Sequence, residues 1–325
     1  NNPSKRWKGT LEHMELPFHT LDVFTDSTFG GNPLGLFPSA AQLPTELMQR
    51  IAREMNLSET VFLGPPETDQ GTARVRIFTP NVEVPFAGHP TVGTAVFLAH
   101  QLLARQPAVS KTNTAELTII LEENVGAVSV DVQIEDGEPV FGRFTTAMLP
   151  EHRESPHSCQ DLARMVGLSP EDVCPDGLYP EMVSCGLAYH IVPVRTIAAV
   201  RKASLDMALW KTMLADSWAH HVYLVCMEAE GEEADIRVRM FAPGSGVAED
   251  PATGSAAAAL GGYLSKLDAS EDGSLSWTVE QGIEMDRPSL IYVEADRSYG
   301  TTSAVRVGGR AILVSSGTMR VAYDE

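Results

Sequence analysis

The stretch RVRMFAPGSGVAEDPATGSAAAALGGYL (residues 237–264) is a second copy of the stretch RVRIFTPNVEVPFAGHPTVGTAVFL (residues 74–98). Both copies begin R-V-R-[IM]-F-x-P and continue through a polar loop and a glycine turn into a segment rich in small residues. The loop before the glycine is longer in the second copy. Two copies of one such unit predict a fold with two pseudo-symmetric halves.

The glycine turns of the two copies predict a binding site between the halves. Ligands commonly collect in a cleft where two structural units face each other. The turns at Gly88 and Gly254 would then present two helix N-termini to one cleft. Each N-terminus has unpaired N–H groups and a partial positive charge, which favours a small anion. The alternative is that the small residues only allow each helix to pack tightly on its sheet.

The rest of the chain alternates short strands with a few helices. Apolar spacing predicts helices over residues 44–56, 90–105 and 158–173, and β-branched runs predict strands over much of the remainder. Residues 1–13 are polar and aperiodic and resemble an expression-tag leader. We expect an N-terminal lobe over 14–138 and a C-terminal lobe over 139–325. In an alternative arrangement, the last strand returns to the N-terminal lobe.

Net charge, the length of apolar runs and cysteine spacing indicate which partners and which cellular compartment to expect. The net charge of −19 opposes binding to a phosphate backbone, so nucleic acid is excluded as a partner. No apolar run approaches the roughly 20 residues that cross a bilayer, so no membrane partner is expected. Four cysteines without disulfide-framework or C-x-x-C spacing favour a reduced, cytoplasmic protein.

Several polar residues near the repeat are candidates for chemistry. Glu59 begins an apolar strand, where burial would raise its pKa to suit acid/base work, although a solvent-exposed strand end is the alternative. His89 and Asp250 flank the two turns and could be catalytic or could bind ligand by hydrogen bonds. Asp250 before proline is also typical of a turn cap, and Ser255 at a helix start is by default a cap.

Other motif classes are excluded by spacing. The histidines and cysteine at residues 152, 157 and 159, and the His220–His221 pair, match no zinc pattern, so we expect no metal. The chain has no G-x-G-x-x-G, no G-K-[ST] and no G-x-S-x-G segment. A dinucleotide site, a P-loop and an α/β-hydrolase nucleophile are therefore not predicted.

Four segments together resemble the PhzF family of phenazine-biosynthesis-like proteins. They are FGGNPLGLF, NLSETVFL, FTPNVEVPFAGHPTVGTA and MFAPGSGVAEDPATGSAAAAL, at residues 29–37, 56–63, 78–95 and 240–260. The resemblance implies an α+β fold of the diaminopimelate epimerase type. It would have two pseudo-symmetric lobes, each a curved, mostly antiparallel sheet or barrel around a central α-helix, with the active site between them.

The resemblance also implies roles for particular residues. Glu59 would carry a proton between carbons of one substrate, a small carboxylate-bearing metabolite. The residues implied to bind that substrate are Gly88, His89, Asp250, Gly254 and Ser255, with Asn32 as a weaker candidate. The implied enzyme is an isomerase that needs no cofactor, and family habit suggests a homodimer.

The same scaffold is compatible with two alternative functions, whereas the residues argue against a two-thiol epimerase. A dehydratase or lyase could use the same base, and a catalytically idle protein could bind a small acid. Epimerases of this fold use a cysteine beside each central helix. Here the positions before the glycines are Ala87 and Thr253, and no cysteine lies in either turn. A two-thiol epimerase is therefore not predicted.

Overall fold

The computed structural model describes residues 12–105 and 114–323. The predicted leader lies outside the described residues as far as position 11, and the first strand, β1, runs Glu12–Val23. The remaining elements of the N-terminal half are β2 (Asn32–Phe37), α1 (Thr45–Met55), β3 (Glu59–Gly64), β4 (Ala73–Phe78), β5 (Glu83–Val84), α2 (Gly88–Arg105), β6 (Thr114–Glu123), β7 (Gly126–Glu135) and β8 (Glu138–Thr145).

The C-terminal half repeats this order with additional short helices. Its strands are β9 (Glu151–Glu154), β10 (Glu181–Ser184), β11 (Ala188–Pro193), β12 (His221–Cys226), β13 (Ile236–Ala242), β14 (Val247–Asp250), β15 (Gly273–Gln281), β16 (Ser289–Ser298) and β17 (Thr301–Tyr323). Its helices are α3 (Cys159–Met165), α4 (Ile197–Lys202), α5 (Met207–Met213) and α6 (Gly254–Leu267).

The same strand pairing occurs in both halves. In the first half β2 pairs parallel with β3, β3 antiparallel with β4, β4 parallel with β6, and β6 antiparallel with β7. The second half has the same directions: β11 pairs parallel with β12, β12 antiparallel with β13, β13 parallel with β15, and β15 antiparallel with β16. Each parallel pair is joined by a crossover that contains a helix, as parallel pairing requires. The repeat in the sequence is therefore a repeat of topology.

Each half is built around one buried helix. Along α2 and α6, nearly every residue of the first three turns is buried, because small side chains let sheet residues approach on all sides. A Cβ atom at Gly261 of α6 would lie 2.6 Å from a Val293 methyl carbon, and one at Gly93 of α2 would lie 2.7 Å from a Val23 methyl carbon. The prediction of an α+β fold with a central helix in each half is confirmed.

The last strand joins the two halves. β17 pairs with β16 and β8 near its start and with β1 along its second part. A packed core of apolar residues from both halves surrounds α2 and α6. Among the described residues, no helix combines the length and the apolar character needed to cross a membrane.

The region between β9 and β12 differs most from the sequence prediction. The helix expected over 158–173 ends at Met165, because Gly167 takes a left-handed φ of +68° and Pro170 opens a separate 3-10 turn. The short helices α4 and α5 were not predicted. Cys159 and Cys174 form a disulfide bond, while Cys185 and Cys226 are free. The expectation of uniformly reduced cysteines is wrong for this pair, whose spacing gave no framework signal.

Candidate active site

The two central helices meet at their N-terminal ends. Gly88 is the first residue of α2 and Gly254 is the first residue of α6. A Cβ atom at Gly88 would lie 3.0 Å from the Gly254 Cα and 3.2 Å from the Ser255 nitrogen. Glycine is therefore required at this contact because backbone faces backbone. The convergence predicted from the repeat is present in the structure.

A cleft of about 100 Å³ opens beside these helix ends. Six of the seven predicted site residues line it, and Asn32 does not. The residues that line it are Ser58, Glu59, Thr79, Val84, Phe86, Ala87, Gly88, His89, Leu187, Tyr189, His221, Met240, Ala242, Ser245, Val247, Asp250, Thr253, Gly254 and Ser255. None of these described residues is Lys or Arg, so the groups in the lining that can attract an anion are the backbone N–H groups of the helix ends.

Glu59 begins β3 and faces this cleft rather than bulk solvent. Its side chain is 19% exposed, and that exposed part lies among the cleft residues. Burial, reinforced by the nearby charge of Asp250, raises the pKa of Glu59 to about 8. The carboxyl group can therefore both accept and release a proton close to neutral pH.

His89 is the second residue of α2 and lies next to Glu59. Its Nδ1 atom is 3.6 Å from Glu59 Oε2, and its side chain is 5% exposed. Burial lowers the pKa of His89 to about 3, so the ring is neutral at physiological pH. Its Nε2 atom has no hydrogen-bond partner among the described residues. The imidazole can thus supply one ring nitrogen to a ligand without bringing a charge into the cleft.

Asp250 ends β14 on the other side of the helix contact. Its carboxylate accepts hydrogen bonds from Thr253 Oγ1 at 2.5 Å, Asn32 Nδ2 at 2.9 Å and Ser58 Oγ at 3.1 Å. Burial raises the pKa of Asp250, but these three donors lower it. Glu59 has no comparable set of donors among the described residues. Of the two carboxyl groups, Glu59 therefore holds a proton more readily and Asp250 holds the charge.

Asn32 does not line the cleft but forms a hydrogen bond with Asp250. It is fully buried at the start of β2. Its amide donates to Asp250 Oδ1 and to the Ala252 carbonyl, both at 2.9 Å. Both bonds link the two halves of the chain. We interpret Asn32 as the residue that fixes the Asp250 carboxylate.

Gln281 is a second support that the sequence did not reveal. Its amide nitrogen donates to the Asp250 carbonyl at 2.8 Å and to Thr253 Oγ1 at 3.0 Å. Its amide oxygen accepts from the Thr253 nitrogen at 3.2 Å. These bonds fix the turn that leads into α6. A glutamine at the end of a strand carries no motif signal, so sequence reasoning had no means of finding it.

Tyr189 was also missed and lies beside a predicted binding residue. The Tyr189 hydroxyl is 2.6 Å from the Ser255 hydroxyl, and the tyrosine is 1% exposed. Burial raises the pKa of Tyr189, so it remains protonated. If Tyr189 donates to Ser255 Oγ, the Ser255 hydrogen is free to point at a ligand. β11 is buried at every position, so its sequence pattern does not single out Tyr189.

Three comparisons bear on the family. A family model for phenazine biosynthesis-like proteins, PhzC-PhzF, matches residues 21–317. The chain is 39% identical to an uncharacterized isomerase of Mesorhizobium japonicum, over 92% of this chain and 96% of that protein. It is 33% identical to the trans-2,3-dihydro-3-hydroxyanthranilate isomerase of Pseudomonas aeruginosa, over 91% and 96% of the two chains.

A solved structure shares the fold. The phenazine biosynthesis protein of the PhzF family from Bacillus anthracis superimposes with a TM-score of 0.81 at 24% identity, covering 94% of this chain and 99% of that one. The curated relatives confirm the sequence-based prediction of an enzyme of the isomerase class. From the family match over nearly the whole described chain, together with these relatives, it follows that the protein belongs to the phenazine biosynthesis-like PhzC-PhzF family.

Proposed function

We propose that this protein is an isomerase that moves a proton between two carbon atoms of a small carboxylate, with Glu59 as the only proton carrier and without a cofactor. The observation that supports this most directly is the position of one proton-holding carboxyl group, Glu59, in the same cleft as two converging helix N-termini. The first feature supplies acid/base chemistry, and the second supplies an anion site.

The substrate carboxylate would lie against the helix ends. The first turns of α2 and α6 leave the N–H groups of Gly88, His89, Gly254 and Ser255 without partners within their helices. Because Gly88 and Gly254 lack side chains, a ligand can approach the backbone closely. The same donors would stabilise the negative charge that develops on the carboxylate when a carbon conjugated with it loses its proton.

Glu59 would act first as a base and then as an acid. As a carboxylate it takes a proton from a ring carbon conjugated with the bound carboxylate, and the electron pair passes through the conjugated system toward that carboxylate. As a carboxylic acid it returns that proton to a different carbon, so no atom is gained or lost. A pKa of about 8 suits both steps, because neither form is strongly favoured near neutral pH.

The curated relatives suggest a first substrate to test. Because one of them is a trans-2,3-dihydro-3-hydroxyanthranilate isomerase, we propose that this chain acts on that compound or on a related cyclic carboxylate with amine and hydroxyl groups. His89 and Asp250 would then bind those groups by hydrogen bonds. The ring nitrogen of His89 and the carboxylate of Asp250 are both suited to this.

The decisive experiment is to turn over trans-2,3-dihydro-3-hydroxyanthranilate in deuterated water with the wild type and with Glu59→Gln. We expect product formation and deuterium exchange to fall by about 100- to 10,000-fold in Glu59→Gln, because the amide cannot carry the proton. Glu116→Gln, which removes an exposed glutamate from β6, is the matched control and should behave as wild type. Unchanged exchange in Glu59→Gln would exclude the proposed role.

A further inference from the structure

The repeat extends to two strand ends that carry buried polar residues. β4 pairs parallel with β6 so that Arg74 lies opposite Glu122, and β13 pairs parallel with β15 so that Arg237 lies opposite Glu280. Arg74 and Arg237 are the first residues of the two sequence copies. Glu122 is therefore equivalent to Glu280. One residue further along, Glu123 is equivalent to Gln281.

The first of these equivalent positions performs the same task in both halves. Glu122 accepts hydrogen bonds from two successive backbone N–H groups, at Glu67 and Thr68. Glu280 does the same for the N–H groups of Glu230 and Gly231. Each carboxylate holds the loop that precedes its neighbouring strand. This shared pattern makes the equivalence one of structure as well as of register.

The second position carries an amide in one half and a carboxyl group in the other. Gln281 is fully buried and fixes the turn that leads into α6. Glu123 is 5% exposed, and its only side-chain hydrogen-bond partner among the described residues is Thr91, in the first turn of α2. Both residues therefore lie beneath the start of the central helix of their own half.

The two contacts of the Thr91 hydroxyl bear on the protonation state of Glu123. The Thr91 hydroxyl oxygen is 2.8 Å from the Ala87 carbonyl oxygen and 2.7 Å from Glu123 Oε1. A carbonyl oxygen can only accept, and the hydroxyl has one hydrogen to give. When Thr91 donates to Ala87, the short contact with Glu123 is satisfied only if the carboxyl group donates to Thr91.

The surroundings of Glu123 also favour the neutral acid. Its Oε2 atom is buried without a partner among the described residues, which would be costly for a charged carboxylate. Burial raises the pKa of Glu123 to about 8, against smaller opposing effects from Thr91 and Arg74. The Arg74 guanidinium is engaged elsewhere, with Glu67 and with the Glu122 carbonyl.

The other charged or titratable groups on the elements around Glu123 do not neutralise it. On its own strand, Glu122 is turned to the loop at residues 67 and 68. On α2, His89 is neutral and lies beside Glu59. On β7, the residue opposite Glu123 is Gly126, which has no side chain.

We propose that Glu123 is held as a neutral carboxylic acid and acts as a positioning residue for the first turn of α2, the counterpart of Gln281 beneath α6. Thr91 transmits the contact to Ala87, which precedes Gly88 and His89 at the edge of the cleft. Ionisation of Glu123 would leave a buried charge whose Oε2 atom has no donor among the described residues. It would also draw the Thr91 hydroxyl hydrogen away from the Ala87 carbonyl, which would loosen this turn. The protonation state is independent of the proposed function, whereas the effect on catalysis rests on it.

The protonation state is tested by unfolding the wild type and Glu123→Gln in urea from about pH 5 to about pH 7.5. A folded protein that keeps a proton which the unfolded chain loses becomes less stable as pH rises, by about tenfold in the unfolding constant per pH unit. We expect the ratio of the unfolding constants, wild type over Glu123→Gln, to rise by that factor. When both proteins also carry Glu59→Gln, the ratio should rise with pH in the same way. The effect then comes from Glu123 and not from Glu59.

A ratio that does not change with pH would overturn the proposal. Infrared spectroscopy provides a second measurement on the folded protein. A protonated-carboxyl band at neutral pH that survives Glu59→Gln and disappears in Glu123→Gln supports the proposal. If the band persists in the double variant Glu59→Gln, Glu123→Gln with the same intensity as in Glu59→Gln alone, the proposal is contradicted.

The positioning role is tested by activity. We expect Glu123→Gln to keep kcat/KM within about twofold of wild type near neutral pH. Above about pH 8 the ratio of its kcat/KM to that of wild type should rise, since an amide cannot ionise. Glu123→Leu and Thr91→Val should lower kcat/KM at least about tenfold, because neither can form the hydrogen bond. Equal activity of the Gln and Leu variants would refute positioning. Absence of turnover by wild type would refute the proposed function but leave the unfolding test intact.

Discussion

Replacement of Asn32 by alanine should destabilise the fold and misplace Asp250. The asparagine amide donates to Asp250 Oδ1 and to the Ala252 carbonyl, both at 2.9 Å, in a fully buried position. The Ala252 carbonyl would lose its side-chain donor, at a cost of about 1–3 kcal/mol. Asp250 Oδ1 would keep the Ser58 hydroxyl but lose one hydrogen bond to a charged group, worth about 1.5–3 kcal/mol, so the two together cost about 2.5–6 kcal/mol. Typical domains are stable by only about 5–15 kcal/mol, so the loss is readily measured.

The same substitution has a pH signature with a definite sign. The Asn32 amide stabilises the ionised form of Asp250 and so lowers its pKa relative to the variant. At low pH, where Asp250 is protonated in both proteins, the variant loses mainly the bond to Ala252. As pH rises and Asp250 ionises, the variant also loses the charge-assisted bond. The difference in the free energy of unfolding between wild type and Asn32→Ala should therefore grow as pH rises.

Urea unfolding at two pH values measures both effects, with the slope m checked to be unchanged. Asn124→Ala is the matched control, because its amide also donates to a carboxylate, Glu83 at 2.9 Å, but at an exposed position. We expect the control to cost no more than about 1 kcal/mol. A deficit for Asn32→Ala as small as that of the control, or one that does not depend on pH, would refute the reasoning.

Three further predictions concern the cleft. Gly88→Ala should lower activity at least about tenfold and cost about 1–3 kcal/mol of stability, because its Cβ atom would lie 3.0 Å from the Gly254 Cα and force the helix ends apart. Tyr189→Phe should raise KM about tenfold with little change in kcat, because the 2.6 Å contact that orients the Ser255 hydroxyl is lost. For wild type, kcat/KM should increase with pH in a titration whose midpoint lies near pH 8, since Glu59 must be ionised to take a proton from carbon.

Each of the two substitutions has its own control. Gly64→Ala adds the same methyl group at a position where the nearest atom is 3.5 Å away, an ordinary contact, and should be tolerated. Tyr179→Phe removes an exposed hydroxyl and should leave KM unchanged. If Gly88→Ala matched Gly64→Ala, the helix contact would be unimportant. If Tyr189→Phe lowered kcat alone, the hydroxyl would act in the chemical step and not in binding.

The sequence could predict the helix ends because their signals are local. Gly88 and Gly254 each stand within a short segment whose order of strand, turn and small residues is preserved in the chain itself. Two copies of that segment were sufficient to infer that the ends converge. Glu59 could be found because a carboxyl group at the head of an apolar strand is unusual in its own surroundings.

The supporting residues could not be predicted, because their partners are distant in the chain. The amide of Asn32 and the carboxylate of Asp250 are 218 positions apart, and the hydroxyls of Tyr189 and Ser255 are 66 apart. Hydrogen bonds of this kind depend on how the two halves are arranged in space, and no residue spacing encodes that arrangement. The same holds for Glu123, whose strand end shows only a run of acidic residues.

The register of the strands reveals one more equivalence across the cleft. In the first half Thr60 of β3 pairs with Phe78 of β4, and in the second half Val222 of β12 pairs with Phe241 of β13. Because the two phenylalanines are equivalent in the sequence repeat, Thr60 and Val222 are equivalent too. The residues that precede them, Glu59 and His221, therefore occupy the same position in the two halves, and both line the cleft.

Under the proposed function, this pair would account for a single proton carrier on a nearly symmetric scaffold. Burial lowers the pKa of His221 to about 4, so its ring is neutral at physiological pH, whereas the pKa of Glu59 lies near 8. A bound substrate would meet a group able to exchange a proton on the Glu59 face and an uncharged aromatic ring on the other. That ring, His221, packs at a tilt against Tyr189. Two bases of equal strength on opposite faces would suit inversion at one carbon. One base on one face suits the transfer of a proton along the same face to a second carbon, which is the reaction we propose.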